Sequence, residues 1–380
     1  MKLIPSLLSS FEFVKAINTK LNNYDYIYPA EGSFAGFTLE TRFPKILNDI
    51  VRNPKLLEQS KVELISLRDR LDDLRIELLD LPKNESIYWS SFFENHTGKT
   101  YREVPFFFLE MYFYRLIIQI ISKNQDFIDP FEIIKREDLE KNSSFFNKIV
   151  SEYSNLNLSQ CLHLSLEGNQ ADLSQVKENK GTELVYLIND EAKLINNLTQ
   201  NGVHIIGDNS GVELFTDLIL IRKLAETCND VTLHLKHLPL LVSDATTDDF
   251  EILLDFLDFT GQSDFVSVIR SLLDSKKLKV LSHPFWNAPT FYDQLPFIQS
   301  PANLLITKGD ANYRRFFHDK EFSPHLTFEL SSIDFKQVFA LRTLKSDIQT
   351  SLSKNLIEDL NEKDPSWMHN SKYAVIQKLK

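Results

Sequence analysis

Apolar positions follow one spacing in the first part of the chain and another in the second. Over roughly the first 155 residues they recur every three or four positions, most clearly at 56–81, where Leu and Ile are interspersed with Arg, Asp and Glu. Such spacing places the apolar side chains on one face of a helix. We therefore predict a helical domain at 1–155, with one helix spanning 56–81 and ending at Pro82.

The most apolar segment of the chain, residues 104–121, contains charged side chains. Glu110, Arg115 and Gln119 interrupt a run that is otherwise rich in Phe, Tyr, Leu and Ile. A charge at the middle of a bilayer is costly, so two of them argue against a membrane span. We predict a buried helix for this segment and no association of the protein with membranes.

From about residue 156 onward, short β-branched runs alternate with helical stretches, which is typical of a largely parallel sheet covered by helices. The runs predict strands at 160–166, 183–189, 202–208, 230–236, 278–284, 303–310 and 337–343. Helical spacing predicts helices over 211–227, 246–258, 262–275 and 311–318. The predicted fold class is α/β, with a helical domain at 1–155 and a sheet domain at 156–380.

Composition and charge narrow the classes of function. The chain is 43% hydrophobic and 25% charged, as folded proteins are, and its net charge of -11 argues against a general nucleic-acid binder. The two cysteines, Cys161 and Cys228, are far apart and belong to no CxxC motif. A disulfide framework or structural zinc site is therefore not expected. The first residues lack a signal-peptide pattern, so the predicted location is cytoplasmic.

Polar residues follow three apolar runs of the sheet domain that we interpret as strands, just before a predicted helix. They are Asp208 and Asn209 after 205–206, Ser243 and Asp244 after 240–242, and Lys308, Gly309 and Asp310 after 304–306. Two interpretations remain open. Asp, Asn and Ser are favoured helix N-caps, and Ser210 with Glu213 and Thr246 with Asp249 have capping-box spacing. The carboxyl ends of parallel strands are also where α/β proteins bind ligands.

A divalent cation would reconcile several acids at one edge of a sheet. Carboxylates held close together repel each other unless a positive charge lies among them. Two carboxylates and an amide oxygen are ligands that Mg²⁺ or Mn²⁺ accepts. The helix that begins near Ser210 would direct backbone N–H groups at a bound phosphate. Further cations follow the last two predicted strands and could bind phosphate: Lys308, Arg314, Arg315, Arg342 and Lys345.

Several familiar nucleotide and hydrolase motifs are missing from the sequence. It contains no GxxxxGK[ST] phosphate-binding loop, no GxGxxG fingerprint and no GxSxG elbow. The sequence DNS at 208–210 also lacks the second acid of the DxD motif of haloacid-dehalogenase-type phosphatases. His234 and His237, in HLKH, would point to opposite faces of a strand and are not predicted to bind a metal together.

Five segments, taken in order, resemble the damage-control phosphatase family, in its branch (subfamily III) that is also described as acidic-residue methyltransferase-like. They are GDNSGVELFTDLIL, LLVSDATTDDF, HPFW, ITKGDANYRRF and LRTLK. Weaker similarities are FTLETRFP, YREVPFFFLEMYFYR, GNQADLS and PSWMHNSKYAVIQ. The resemblance thus covers nearly the whole chain.

The resemblance implies an N-terminal helical domain and a C-terminal α/β/α domain with a Rossmann-like sheet. It also implies a divalent metal, which is Mn²⁺, Ni²⁺, Co²⁺ or Mg²⁺. Its motifs assign the metal to Asp208, Asn209 and Asp244, which would also be the catalytic residues. Glu213 corresponds to a position assigned to S-adenosylmethionine. The implied substrate contacts are Asp310, Asn312, Tyr313, Arg314 and Lys345.

The predicted function is a metal-dependent phosphomonoesterase that hydrolyses small phosphosugars, such as fructose 1-phosphate or fructose 6-phosphate, in metabolite damage control. The substrate preference is implied by the resemblance. Two alternatives stay open: an S-adenosylmethionine-dependent protein-glutamate O-methyltransferase, and a non-catalytic sugar-phosphate binding protein. The missing glycine-rich loop argues against the methyltransferase. The expected partner is a small phosphosugar, with no nucleic acid and no membrane.

Overall fold

The computed structural model describes residues 21–170, 184–198, 200, 202–295, 304–330 and 333–380. The first part of this chain is helical, as predicted. Its α-helices are α1 (Phe34–Phe37), α2 (Phe43–Val51), α3 (Glu58–Arg68), α4 (Lys83–Ser86), α5 (Ser90–His96), α6 (Phe106–Asn124), α7 (Glu132–Lys141) and α8 (Ser143–Glu152). A π-helical turn, Thr38–Arg42, joins the first two.

Helix α6 lies at the centre of the helical part and is buried on almost all sides. Its two charged residues are paired inside the protein: Arg115 Nε donates to Glu85 at 3.0 Å, and Glu110 accepts from Arg314. A buried charge requires such a partner. The prediction of a buried helix is therefore confirmed. Among the residues that the structure describes, no helix is long and apolar enough to cross a membrane.

The predicted helix over 56–81 is wrong beyond Arg68. Helix α3 ends there, and the chain continues as a turn followed by an extended segment. Asp69, Asp72 and Asp73 lie where a longer helix would have to continue, and clustered acids near a helix C-terminus oppose its dipole. The extended segment bonds elsewhere: Ile76 N donates to Lys99 O at 2.9 Å. Apolar spacing alone did not reveal these competing partners.

A seven-stranded sheet forms the second part of the described chain, in the order β1-β7-β6-β5-β2-β3-β4. Strands β2 to β6 run parallel, whereas β7 is antiparallel to β6 and β1 is parallel to β7. The predicted α/β class with a largely parallel sheet is confirmed. The strands are β1 (Val185–Asn189), β2 (Val203–Ile206), β3 (Val231–Leu235), β4 (Leu278–Ser282), β5 (Leu304–Lys308), β6 (Gln337–Thr343) and β7 (Tyr373–Lys378).

Helices cover both faces of this sheet and complete the fold. They are α9 (Leu158–Gln170), α10 (Glu191–Asn197), α11 (Val212–Leu224), α12 (Thr247–Phe259), α13 (Ser263–Asp274), α14 (Gly309–Phe316) and α15 (Lys354–Lys363). Alternate strand residues serve different layers: Leu304 and Ile306 pack with α11 and α12, whereas Leu305 packs with Tyr313 of α14. This alternation follows from the two-residue period of a strand.

The predicted strand at 160–166 is wrong, because these residues belong to α9. Alternating leucines suggested a strand, but the buried positions, which include Cys161, Leu162, Ser165 and Leu166, follow a helical period. The helix packs closely on α11, where a Cβ at Gly168 would come within 2.1 Å of Thr216 Oγ1. The last strand, β7, was not predicted at all. The motif GNQADLS extends beyond Gln170 into residues outside the described part of the chain.

Two buried histidines of neighbouring strands predict a loss of stability in acid. His204 Nδ1 lies 2.8 Å from His234 Nε2, and burial lowers the pKa of His204 to about 4 and that of His234 to about 3. Both rings are therefore neutral in the folded state, while the unfolded chain takes up protons below pH 6.5. The free energy of unfolding should be fully retained above that pH. It should fall as the pH drops from 6.5 to about 4 for His204 and to about 3 for His234, by at most about 1.4 kcal/mol per pKa unit for each ring.

Urea unfolding at pH 7.5, 6 and 5 measures this effect. His204→Gln should reduce the pH dependence relative to the wild type, because one of the two depressed pKa values is removed. His237→Gln is the matched control, since that side chain is exposed just beyond the same strand β3. Equal slopes for the wild type and His204→Gln would show that the buried pair does not cause the acid sensitivity.

Candidate active site

The polar ends of β2 and β3 are joined into one rim by backbone hydrogen bonds. After β3 the loop 236–246 returns over the end of β2, where Ala245 N donates to Asp208 O at 2.9 Å and Ser210 N donates to Ser243 O at 2.7 Å. Asn209 and Asp244 pair between them as an isolated antiparallel bridge. These bonds bring together Asp208, Asn209 and Asp244, the three residues implied as metal ligands.

The segment 240–242 is not the strand that its apolar run indicated. It forms part of a loop and turn, and Leu240 and Val242 pack into the core of the helical part of the chain. Their hydrophobicity therefore reflects anchoring of the loop rather than membership of the sheet. This loop brings Asp244 close to the end of β2, although Asp244 does not itself follow a strand.

The carboxylate of Asp244 is buried and only half satisfied. Its Oδ2 accepts from Leu241 N at 2.9 Å, while its Oδ1 has no hydrogen-bond partner within the described part of the chain. The residue is 3% exposed, and burial raises the pKa of its carboxyl group, an effect that the positive charge of Lys236 partly offsets. A buried, unpartnered carboxylate oxygen is unfavourable unless a ligand completes it.

Asp208 lies between a glycine and a buried lysine. A Cβ added at Gly309 would stand 1.8 Å from Asp208 Oδ2, so the carboxylate occupies the space that a side chain would need. On its other side, Lys236 Nζ is 4.0 Å from Asp208 Oδ1 and 3.5 Å from Asn312 Oδ1. Lys236 was not among the predicted site residues, although it stands between the two histidines of HLKH.

Helix α7 of the helical part also contributes to the rim. Lys135 Nζ donates to Asp244 O and to Asp249 Oδ2, both at 2.8 Å. Asp138 Oδ2 accepts from Val212 N at 3.1 Å, at the first turn of α11. Neither residue was predicted, because no local pattern links α7 to strand ends so far along the sequence.

The expectation that the start of α11 offers its amides to a phosphate is only partly compatible with these contacts. Ser210 N and Val212 N already donate to Ser243 O and to Asp138 Oδ2. The capping interpretation is confirmed for Thr246 and Asp249, which form a complete capping box. It is wrong for Ser210 with Glu213, since the N-cap residue of α11 is Gly211 and no described side chain caps this helix.

Asp310 and Lys345, two of the implied substrate contacts, come together in the structure. Asp310 Oδ1 accepts from Arg342 at 2.6 Å and from the backbone N of Lys345 at 3.1 Å. Lys345 Nζ donates to Asn169 O at 2.7 Å, which ties it to the end of α9. Arg342 thus balances the negative charge of Asp310 inside the protein.

Asn312, Tyr313 and Arg314 all have protein partners. Asn312 Nδ2 donates to Gly207 O at 3.2 Å, and its Oδ1 accepts from Tyr292. Tyr313 is completely buried, with its hydroxyl 2.8 Å from Gln377 Oε1. Arg314 forms ion pairs with two carboxylates, Glu110 of α6 and Asp319. The last two side chains therefore hold α14 in place within the protein.

Comparison with known proteins decides the family. A sequence profile of the damage-control phosphatase ARMT1-like domain matches residues 38–360 of this 380-residue chain. The chain belongs to the damage-control phosphatase ARMT1-like family. This membership confirms the resemblance seen in the sequence, and with it the prediction of a hydrolase of the phosphatase class.

Several proteins named damage-control phosphatase ARMT1 are similar over most of their length. The Homo sapiens protein is 26% identical over 91% of this chain and 96% of its own, and the Danio rerio protein is 25% identical over 91% and 95%. Among solved structures, a DUF89 family protein from Pyrococcus horikoshii aligns with a TM-score of 0.48 and 15% identity, covering 91% of this chain and 98% of that one.

The donor set at the rim of this ARMT1-like domain fits a divalent metal ion. Within the described ranges, no group of three or more His, Cys, Asp or Glu side chains could hold a metal. The predicted set contains only two carboxylates, Asp208 and Asp244, and its third member is the amide of Asn209. Oxygen ligands of this kind, few in number, are typical of Mg²⁺ and Mn²⁺, which keep several waters. The unpartnered Asp244 Oδ1 supports the same fit.

Proposed function

We propose that this protein is a divalent-metal-dependent phosphatase that hydrolyses small phosphosugars of the fructose 1-phosphate or fructose 6-phosphate type, as part of metabolite damage control. The observation that carries the proposal is the buried, unpartnered Oδ1 of Asp244, a residue whose backbone pairs with that of Asn209, next to Asp208 in the chain. A cation would complete an oxygen in that state. The proposal includes a cytoplasmic location, which the two free, buried thiols support.

In this proposal Asp208, Asn209 and Asp244 hold the metal, which can be Mn²⁺, Ni²⁺, Co²⁺ or Mg²⁺. The ion supplies Lewis-acid stabilisation of the charge on the transferring phosphoryl group. Lys236 adds a positive charge beside Asp208, and because it is only 3% exposed, that charge acts in a site with little water. The lysine would neutralise phosphate oxygens that approach Asp208.

The remaining residues bind and orient the substrate. Lys345, which lies just beyond the end of β6, contributes a second positive charge that binds the phosphate. Asp310 and Asn312 are proposed to bind sugar hydroxyls, since both stand at the start of α14 beside the acids. Tyr313 and Arg314 act on the substrate indirectly, because their contacts with Gln377, Glu110 and Asp319 hold α14 in position.

A metal-by-substrate screen tests the proposal. Purified protein is treated with EDTA, dialysed, and assayed for phosphate release from fructose 1-phosphate and fructose 6-phosphate with each of the four metals. Activity should be absent without metal and should return with Mn²⁺. Phosphosugar binding without release under every metal would instead support a non-catalytic binding protein. Tight, metal-independent binding of S-adenosylmethionine, measured by calorimetry, would instead support a methyltransferase.

A further inference from the structure

A buried polar cluster lies directly behind the rim, between α9, α11 and the end of β5. At its centre, Lys308 is 0% exposed and donates to Ser165 O at 2.7 Å and to Asp217 Oδ1 at 2.6 Å. Its Nζ also lies 3.4 Å from Glu213 Oε1. The cluster contains one lysine and two carboxylates, and such a group is costly to bury unless each member is held by specific bonds.

Glu213 connects this cluster to the rim through two amides. Its Oε2 accepts from Asn209 Nδ2 at 2.7 Å and from Asn169 Nδ2 at 2.9 Å. The side chain is 2% exposed, so its oxygens are directed into the protein. A contact with S-adenosylmethionine, which the family resemblance implies for this position, would have to reach a carboxylate that is almost completely buried.

The chemistry of Glu213 determines which way Asn209 faces. Oε2 of Glu213 also accepts a hydrogen bond from Asn169, so it meets Asn209 as an acceptor, and the amide presents its NH₂ group to it. The same NH₂ group lies 3.3 Å from Asp208 Oδ2. The amide oxygen of Asn209 is turned away from Glu213, where it accepts from Ser243 Oγ at 2.7 Å and has a second lone pair. We propose that Glu213 is a positioning residue that fixes the amide oxygen of Asn209 toward the metal. This inference rests on the proposed function.

The amide of Asn169 connects Glu213 to the part of the site that contains Lys345. Because Asn169 gives its NH₂ group to Glu213, its Oδ1 is left to accept from Thr343 N at 2.8 Å. Its backbone oxygen accepts from Lys345 Nζ at 2.7 Å. One carboxylate thus contacts both a proposed metal ligand, Asn209, and the residue whose backbone oxygen holds Lys345. Outer contacts of this kind commonly tune metal affinity.

Exchanging the carboxylate of Glu213 and the amide of Asn209 tests the orientation of the Asn209 side chain directly. Mn²⁺ binding to the metal-free protein is measured by calorimetry for the wild type, Glu213→Gln, Asn209→Asp and the double variant. Glu213→Gln lets the amide of Asn209 turn over, and the affinity should fall about 10–100-fold. In the double variant, the introduced glutamine amide can donate to the introduced aspartate, whose two oxygens are equivalent, so the affinity should return to near the wild-type value. A purely structural role for Glu213 predicts no such recovery.

Asn209→Asp alone decides the question even if Glu213→Gln does not fold. An added carboxylate ordinarily strengthens the binding of a divalent cation, but here it would face the carboxylate of Glu213. The inference therefore expects weaker Mn²⁺ binding, and tighter binding would overturn it. Glu226→Gln is the matched control, since Glu226 follows the same helix and contacts Tyr153 and Lys223 instead of the rim. Its affinity should equal that of the wild type.

The outcomes separate this inference from the proposed function. A wild-type protein that binds no Mn²⁺ contradicts the proposed function itself. A wild type that binds Mn²⁺ and a Glu213→Gln variant that binds it equally well contradict only the positioning role. Loss of S-adenosylmethionine binding in Glu213→Gln with unchanged Mn²⁺ affinity would also overturn that role, because it would assign the residue to a cofactor.

Discussion

Replacing Asp244 with asparagine is expected to abolish the stabilisation of the protein by Mn²⁺ and to lower kcat/KM by about 10³-fold. The variant keeps the shape of the side chain but removes its negative charge. In the wild type, Oδ1 of this carboxylate has no partner among the described residues. Loss of several kcal/mol of metal-derived charge stabilisation corresponds to a rate loss of that size. In the absence of metal, the variant should unfold no earlier than the wild type, because the asparagine leaves no buried charge at this position.

Thermal unfolding with and without Mn²⁺ separates these effects. A ligand present at about 100 times its Kd stabilises a protein by about 2.7 kcal/mol, so the wild type should melt later when Mn²⁺ is added. Asp244→Asn should show no such shift. Asp248→Asn is the control, because Asp248 is exposed on the first turn of α12 and should respond to Mn²⁺ as the wild type does. A full metal-induced shift in Asp244→Asn would exclude Asp244 as a ligand.

Replacing Gly309 with alanine is expected to displace the carboxylate of Asp208 and to eliminate metal binding with it. Two separate penalties apply at this position. The backbone has φ +76, which costs an alanine about 1–2 kcal/mol. The new Cβ would stand 1.8 Å from Asp208 Oδ2, a contact that forces the carboxylate to move and adds about 1–3 kcal/mol of overpacking.

Gly32 provides a matched control for the backbone penalty. It has the same φ of +76, but a Cβ added there would meet no atom of the described chain within 4 Å. Gly32→Ala should therefore lose about 1–2 kcal/mol in urea unfolding and keep its full Mn²⁺ affinity. If Gly309→Ala were no less stable than Gly32→Ala and bound Mn²⁺ equally well, the packing of Asp208 against Gly309 would be unimportant for the site.

Much of the sheet could be predicted because its strands carry local signals. Runs such as 202–208 and 337–343 are β-branched, apolar and bounded by turn residues, and they became β2 and β6. The run at 160–166 alternates leucines with other residues and so also suggested a strand, yet it is helical because its buried side belongs to the interface with α11. A seven-residue pattern of alternating leucines fits both periods, and only the tertiary partner decides between them.

The candidate site was predictable only where its residues stand next to a strand end in the sequence. Asp208, Asn209 and Asp310 have that signal. Asp244 was predicted at the rim because it follows an apolar run that was interpreted as a strand. That run is a loop, so Asp244 reaches the rim for a different reason. Lys236 gave no signal, because a lysine after a strand is most often exposed. Its burial beside Asp208 depends on α14, which covers it from another part of the chain.

The contacts made by α7 mean that residues 156–380 alone lack part of the support of the rim. The bonds from Lys135 and Asp138 bridge sequence separations of 109 and 74 residues. A fragment that begins after α8 would retain every predicted ligand, but it would lose the donor to the backbone of Asp244 and the acceptor at the start of α11. A substitution in α7 should therefore alter the strand ends, although none of the predicted metal ligands lies in that helix.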